Sequence, residues 1–291
     1  MLAQFFQFLF TGVTVGAAYA LAALGFTIIY NTSGVINFAQ GEFIMLGGMF
    51  STALLAAGMP LAAAIAIAIV LTGLVGLIVE KLAIEPAKNA EVVTLIIITI
   101  GASLSIRGLV QVWLGKDIHA LPAFSGEQPL QIMGASLLPQ SLWVLGVALV
   151  VVLILGWFFG KTLLGKAMLA TSYNKLAAQL VGINTKVVLL LSFGLSAALG
   201  AVGGIILAPI TYTSYDIGIM LGLKGFVAAV VGGLGGGVGA IAGGLILGIS
   251  EAMAAGYISS AYKDAVPFVL ILLILFFRPG GLLGAKITER V

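Results

Sequence analysis

The chain has 291 residues, of which 61% are hydrophobic and only 8% are charged, and its mean hydropathy is +1.23. Soluble domains carry about 25% charged residues, so this composition excludes a soluble enzyme, a nucleic-acid-binding protein and a disordered chain. Lipid must be the solvent for most of the protein surface. Glycine is about twice as frequent as usual, which favours a bundle of closely packed membrane helices.

The remaining totals limit cofactor chemistry. The chain has no cysteine and a single histidine, which excludes thiolate metal sites and argues against a histidine-based one. We therefore expect no metal or cofactor to be bound by this chain. The first charged residue is Glu42, whereas a secretory signal begins with a basic segment. The N-terminal apolar stretch is thus predicted to be a membrane helix rather than a cleaved leader.

Eight apolar stretches are predicted as membrane helices, which need about 20 apolar residues. Their ranges are 5–29, 36–57, 61–79, 92–114, 141–160, 187–207, 238–257 and 264–277. A shorter apolar stretch, 222–232, is a ninth candidate. The sequence therefore predicts an all-α, polytopic membrane bundle of eight or nine segments, with residues 1–291 in one domain.

Basic residues indicate the orientation. The loop 161–186 carries four lysines and no acidic residue, and the positive-inside rule places it in the cytoplasm. The loop 80–91 and the C-terminal tail share that side if residues 222–237 cross the membrane, and the N-terminus then lies outside. An eight-segment arrangement with the N-terminus inside would need one hairpin to re-enter. The basic residues of these three segments are Lys81, Lys88, Lys161, Lys166, Lys175, Lys186, Arg278, Lys286 and Arg290.

The loop 115–140 is then an outside loop, and it is too short to hold a separate domain. It contains the only histidine, His119, and two acidic residues, Asp117 and Glu127. The chain has no P-loop signature. Any ATP hydrolysis that drives this protein must therefore take place in another subunit.

The first candidate for a functional role is the polar segment 31–42, which contains Asn37, Gln40 and Glu42. A carboxylate exposed to lipid costs a few kcal/mol, so these side chains are expected to face protein or a cavity. Two glycines in the segment weaken a helix by about 1 kcal/mol each. A broken helix with polar side chains fits the lining of a solute path. The alternative is a purely structural hairpin braced by Glu42.

Arg107 and Glu251 are the other charges predicted to lie within the bilayer. At 1.5 Å per residue, they lie roughly 22 Å and roughly 20 Å from the inner edge, whereas Glu42 lies roughly 10 Å from it. Equal depth therefore predicts an Arg107–Glu251 pair. The alternative is that Arg107 extends outward to the membrane surface.

Small residues recur every four positions in the last third of the chain. This spacing is typical of helices whose backbones approach closely. A sharper hypothesis places a gating hinge at 233–237, where the density of glycine makes a continuous straight helix improbable. The recurring residues are Gly232, Gly236, Ala240, Gly244, Gly248, Ala252 and Gly256.

The basic loop contains signals for a short helix. Asn174 is a plausible N-cap, and Gly182 stands where a glycine would end the helix. Between them, Ala177 and Leu180 share one face, which continues to Val181. A short helix with an exposed apolar face suits a groove on a partner protein. It equally suits the surface of an anionic membrane, and the residues alone leave both open.

These motifs together resemble a known family. Segments Ile36-Asn-Phe-Ala-Gln-Gly-Glu42, Gly165–Asn184, Val230-Val-Gly-Gly-Leu-Gly-Gly and Arg278-Pro-Gly-Gly-Leu-Leu-Gly284 are similar to those of the permeases of branched-chain amino-acid ABC importers. The resemblance is to the H-type permease of the high-affinity leucine/isoleucine/valine system, and it covers nearly the whole chain. It implies a multi-pass protein of the bacterial inner membrane with the fold of vitamin B12- and ribose-type importers.

The resemblance also implies partners and roles. The permease would pair with a second, related permease, dock on two ATP-binding subunits that use ATP and Mg, and receive its substrate from an extracytoplasmic binding protein. Asn37, Gln40, Glu42, Arg107 and Glu251 would line or brace the path of an alternating-access transporter. The loop 161–186 would couple to the ATPase through Gly165, Asn174, Ala177, Ala178, Leu180 and Gly182.

Some features leave room for other functions. The family often has histidine where Gln40 stands and arginine where Leu169 stands, so neither a titrating imidazole nor a salt bridge is expected at those positions. The permeases of urea or short-chain amide importers are similar in sequence. From another class, a proton-coupled secondary carrier could use Glu42 or Glu251 as its buried carboxylate.

Overall fold

The computed structural model describes residues 2–87, 90–126 and 128–284. The helices are α1 (Leu2–Ser33), α2 (Gln40–Ala56), α3 (Leu61–Val79), α4 (Val92–Leu114), α5 (Pro139–Lys161), α6 (Leu163–Tyr173), α7 (Lys175–Leu180), α8 (Thr185–Thr211), α9 (Ile217–Gly232), α10 (Gly237–Tyr257) and α11 (Val266–Phe277). A π-helical turn, Glu80–Ile84, extends α3, and a 3₁₀ turn, Ser260–Ala265, precedes α11. Strands β1 (Leu130–Ile132) and β2 (Ala135–Leu137) form an antiparallel hairpin. The predicted loop and tail charges Lys88, Glu127, Lys286 and Arg290 lie outside the described residues.

The prediction of an all-α polytopic membrane fold is confirmed. Within the described part of the chain, seven helices are long and apolar enough to cross a membrane. Helices α2 and α9 are shorter, at 17 and 16 residues. The predicted ranges 61–79 and 92–114 match α3 and α4, whereas the range 36–57 began too early, because α2 starts only at Gln40.

Contacts near the ends of the helices define the two ends of the bundle. At one end, which we call the hairpin end, Gln7 Nε2 donates to the carbonyl of Ser136 (3.0 Å), and His119 pairs with Thr213. At the opposite end, the loop end, Asn31 Nδ2 donates to the carbonyl of Gly235 (2.9 Å). Helix α9 runs from the first end to the second, as the nine-segment arrangement requires. Ser172 of the loop 161–186 lines a pocket together with Asn31 and Gly235, so this loop lies at the loop end, opposite the start of α1.

Helix α1 is the centre of the bundle, and its middle is buried against α8, α9 and α10. Its glycines meet the glycine stripe of α10 backbone to backbone. A Cβ atom on Gly12 would lie 2.6 Å from Ile249 Cα, and one on Gly248 would overlap the backbone of Gly16. Gly243 lies equally close to Ala228 of α9. The stripe thus serves the close helix packing that its spacing indicates.

The glycine run also breaks the helix, as its composition indicates. Helix α9 ends at Gly232 and α10 begins at Gly237, and Gly233 (φ +105°) and Gly235 (φ +98°) adopt backbone conformations that favour glycine. The N–H groups of Leu282 and Leu283 donate to the carbonyls of Val231 (2.9 Å) and Gly232 (3.0 Å). The tail therefore satisfies carbonyls that the end of α9 would otherwise leave unpaired. The gating role of this connection stays a prediction.

Candidate functional site

Glu42 at the start of α2 pairs with Arg107 of α4. Oε1 of Glu42 accepts a hydrogen bond from Nη2 of Arg107 and another from Ser103 Oγ (2.8 Å). Ser103 lies one turn before Arg107, so that α4 presents both donors on one face. The predicted Arg107–Glu251 pair is therefore wrong.

The error has a physical cause in the segment before α2. Residues 34–39 are not helical, yet Asn37 and Ala39 are fully buried, so the chain turns back into the bundle before α2 begins. Gln40 lies level with Ser196, which is 11 residues, or about 16 Å, into α8. Glu42 is consequently much deeper than a helix from residue 36 would place it, and it reaches the depth of Arg107.

Glu251 belongs to a second buried cluster. Lys224 Nζ of α9 donates to Glu251 Oε1 (2.6 Å) and to Asp264 Oδ1 (2.7 Å). Tyr19 of α1 donates its hydroxyl to Glu251 Oε2 (2.9 Å). The cluster joins α1, α9, α10 and the turn before α11. The sequence indicated Lys224 only as a charge near an edge of the bilayer and not as a site residue; the available signal was a lysine within an apolar segment, which requires a buried counter-charge.

Gln40 and Asn37 hold the re-entering segment in place. Gln40 Nε2 donates to the Ser196 carbonyl (3.2 Å) and Oε1 accepts from Ser196 Oγ (2.6 Å). A Cβ atom on Gly25 would overlap the Gln40 amide, so α1, α2 and α8 meet at this side chain. Asn37 Oδ1 accepts from the backbone N–H of Ala39 (3.1 Å). Both residues thus brace the start of α2.

A pocket of about 260 Å³ lies beside the Glu42–Arg107 pair. Glu42 Oε2 and Arg107 Nε are buried atoms without a hydrogen-bond partner among the described residues. Ionised groups in such surroundings rarely lack partners. Most of the pocket wall is aliphatic or aromatic. The lining residues are Phe26, Phe38, Glu42, Ile100, Ser103, Leu104, Arg107, Gly218, Ile219, Gly222 and Leu223.

A second pocket, of about 280 Å³, lies at the loop end between α1, α5, α6 and α10. Its wall includes the polar residues Asn31, Thr32 and Ser172. Most of the other lining side chains are aliphatic or aromatic, such as Leu24 and Phe159. It contains no charged residue. Across the part of the chain that the structure describes, no group of three histidine, cysteine or acidic residues is placed to hold a metal ion.

The loop 161–186 folds as the local signals indicate. Asn174 caps α7, because its Oδ1 accepts from the N–H of Ala177 (2.9 Å), and Gly182 (φ +88°) follows the last turn. Ala177 is exposed, as is Leu180. The other apolar side chains exposed around α7 are Tyr173, Leu176 and Val181.

Two predicted coupling residues lie underneath this surface. Ala178 is buried, on the side of α7 that faces the bundle. A Cβ atom on Gly165 would overlap the carbonyl of Phe158, so this glycine lets α6 cross the end of α5. We therefore assign Ala178 and Gly165 to the support of α7 rather than to its outer face.

Residues 8–275 match the family described as the permease component of the branched-chain amino acid transport system. The chain belongs to this permease family. It is 37% identical, over 99% of its own length and 98% of the relative, to the high-affinity branched-chain amino acid transport system permease protein LivH of Escherichia coli K12. It is 33% identical, over 99% of its own length and 98% of the relative, to the high-affinity branched-chain amino acid transport system permease protein BraD of Pseudomonas aeruginosa. The resemblance drawn from the segments 36–42 and 165–184 is confirmed.

A solved structure supports the fold. The chain is similar to a chain of PsaBC from Streptococcus pneumoniae in complex with Fab, with a TM-score of 0.54, 15% identity and coverage of 96% of this chain and 97% of the other. At that identity the likeness concerns the fold alone. The family match identifies the chain as a transport permease component, and its seven helices that are long and apolar enough to cross a membrane, among the described residues, make it a multi-pass membrane protein.

Proposed function

We propose that this chain is the membrane permease subunit of an ABC importer that moves branched-chain amino acids across the bacterial inner membrane by alternating access. The observation that carries the proposal is similarity along nearly the full length to LivH and BraD, both named as branched-chain amino acid permeases. The urea and short-chain amide importers are not favoured, since the relatives at 33–37% identity carry neither name.

The charge pairs argue against a proton-coupled carrier. Such a carrier needs a carboxylate that can gain and lose a proton during the cycle. Glu42 is held by Arg107, and Glu251 by Lys224, so protonation of either carboxylate would leave a buried cation without its counter-charge. The energy for transport must then come from elsewhere, and ATP hydrolysis in separate subunits supplies it.

Helix α7 is the proposed contact with those subunits. Its exposed apolar side chains, Leu176 and Leu180, lie at the loop end among lysines, where the positive-inside rule puts the cytoplasm. An apolar helix face of this kind suits a groove on another protein. Two ATP-binding subunits would hold ATP and Mg, and this chain would bind no cofactor. A second, related permease and an extracytoplasmic binding protein complete the assembly.

The test is leucine uptake by proteoliposomes. We expect uptake to require ATP on the cytoplasmic side, both ATP-binding subunits and the binding protein. Omission of any one component should abolish uptake. Leucine uptake by this chain alone, driven by a proton gradient, would refute the proposal and favour the carrier.

The coupling role of α7 has a separate test. Ala177→Glu places a charge on the exposed face of α7, and we expect it to stop leucine uptake while ATP hydrolysis by the assembled complex continues. Ala177→Ser is the matched control, because it adds a small neutral group at the same position and should leave uptake unchanged. Normal uptake by Ala177→Glu would show that α7 does not couple the subunits.

A further inference from the structure

We propose that the pocket beside the Glu42–Arg107 pair is a binding site, within the membrane, for a zwitterionic aliphatic amino acid. The α-carboxylate binds the guanidinium of Arg107, the α-ammonium binds Oε2 of Glu42, and the side chain lies against the aliphatic wall. The inference rests on the proposed function, because it makes the transported amino acid the ligand of this site.

The charges of the site complement a zwitterion. Nη2 of Arg107 makes both of the hydrogen bonds that the guanidinium forms here, one to Glu42 Oε1 and one to Ser103 Oγ, while Nε is buried without a partner. Glu42 is 1% exposed, and its Oε2 also lacks a partner. The pair thus offers one unused donor group and one unused acceptor, each charged. An ammonium and a carboxylate on one small molecule match them with no change in net charge.

The pocket also has the size and the wall for an aliphatic side chain. Ile100, Leu104, Ile219 and Leu223 line it from α4 and α9. Its volume is about 260 Å³, whereas an apolar cavity of about 150 Å³ accommodates one benzene molecule. A leucine, isoleucine or valine therefore fits, with its branched end on the apolar wall and its charged end at Arg107.

Access to the site depends on α9. Glu42 Oε2 faces Gly218, where a Cβ atom would lie 3.0 Å from this oxygen. Gly218 and Gly222 lie directly against the backbone of Gly41, and such a contact between small residues lets the two helices approach closely. In this conformation the Arg107 side chain, 19% exposed, is the reachable part of the pair. The ammonium reaches Oε2 when α9 moves, which ties occupancy of the site to the transport movement.

The test is a larger side chain in the pocket wall, which reduces the pocket volume and leaves Glu42 and Arg107 unchanged. Leu104 and Leu109 lie on the same helix and are 59% and 52% exposed, but only Leu104 lines the pocket. In the reconstituted importer, we expect Leu104→Trp to lower leucine uptake about tenfold or more. Leu109→Trp should transport at the wild-type rate. Equal uptake by the two variants would overturn the site.

A binding measurement separates this inference from the proposed function. On the purified full chain, leucine should raise the unfolding temperature. 4-Methylpentanoate, which lacks the ammonium, and isoamylamine, which lacks the carboxylate, should not raise it at the same concentration. Leu104→Trp should abolish the leucine effect, and Glu251→Gln, which alters a buried ion pair elsewhere, should retain it.

The uptake assay and the unfolding measurement distinguish a wrong binding site from a wrong proposed function. If the wild-type importer takes up leucine with ATP but the shift is absent or unaffected by Leu104→Trp, the site is wrong and the function stands. If leucine stabilises the wild-type chain but not Leu104→Trp, and the importer shows no ATP-driven leucine uptake, the site stands and the proposed function is wrong.

Discussion

The second buried cluster, formed by Lys224, Glu251, Asp264 and Tyr19, has members that differ in burial. We therefore expect substitutions of these residues to lower the free energy of unfolding by different amounts. The side chains of Lys224 and Glu251 are 8% and 10% exposed, whereas that of Asp264 is 49% exposed. Lys224→Met leaves the Glu251 carboxylate buried with only the hydroxyl of Tyr19, and removal of one partner from a buried pair costs about 3–5 kcal/mol. Asp264→Asn removes a half-exposed partner, for which about 0–1 kcal/mol is expected.

The other members complete the series. Glu251→Gln should fall between these values, at about 1–3 kcal/mol, because Lys224 keeps Asp264 as a partner. The double variant Lys224→Met/Glu251→Gln should be more stable than Lys224→Met alone, since it leaves no uncompensated charge in the apolar interior.

The free energy of unfolding is measured in detergent micelles, by titration with a denaturing detergent and with helix content as the signal. All variants are compared with the wild-type chain under one ionic strength, which limits differences in screening of Asp264. If Asp264→Asn is as costly as Lys224→Met, or if the double variant is no better than Lys224→Met, burial does not decide these energies and the reasoning fails.

Two further pairs of variants test the helix contacts. Gly248→Ala should destabilise the chain by about 1–3 kcal/mol, because the new methyl overlaps the backbone of α1, whereas Gly101→Ala, with open space around it, should stabilise α4 by up to about 1 kcal/mol. Equal midpoints in the same unfolding titration would contradict the close α1–α10 contact. Asn174→Ala should remove the cap of α7 at about 1 kcal/mol and accelerate amide hydrogen exchange throughout Lys175–Leu180. Asn184→Ala removes the cap of the much longer α8 and should affect its first turn alone; unchanged exchange in α7 would show that Asn174 does not hold it.

Features set by local sequence were predictable here. Helix α3 has the predicted bounds, because a long apolar stretch without charged residues leaves few alternatives in lipid. Asn174 and Gly182 were identified as the start and end of a short helix because capping depends on residues three or four positions apart. The break at Gly233 followed from composition in the same way.

The partners of the buried charges were not predictable in this way. Their pairing depends on depth, and depth depends on where each helix begins. The non-helical residues 34–39 displace Glu42 by about two helical turns relative to a helix from residue 36, and nothing in the local sequence distinguishes that path from a simple hairpin. Glu251 likewise pairs with Lys224 through the antiparallel arrangement of α9 and α10, which only the packed bundle defines. The unused atoms of Glu42 and Arg107 emerged from the same packing.

The last described residues have a practical use, since Leu282 and Leu283 are hydrogen-bonded to the end of α9. Any displacement of α9 at the loop end must carry this tail with it or break both bonds. The chain has no cysteine, so Leu283→Cys, at an exposed position, would provide a single attachment point for a fluorophore. In the proposed importer, such a probe would report the position of α9 in real time while ATP is hydrolysed.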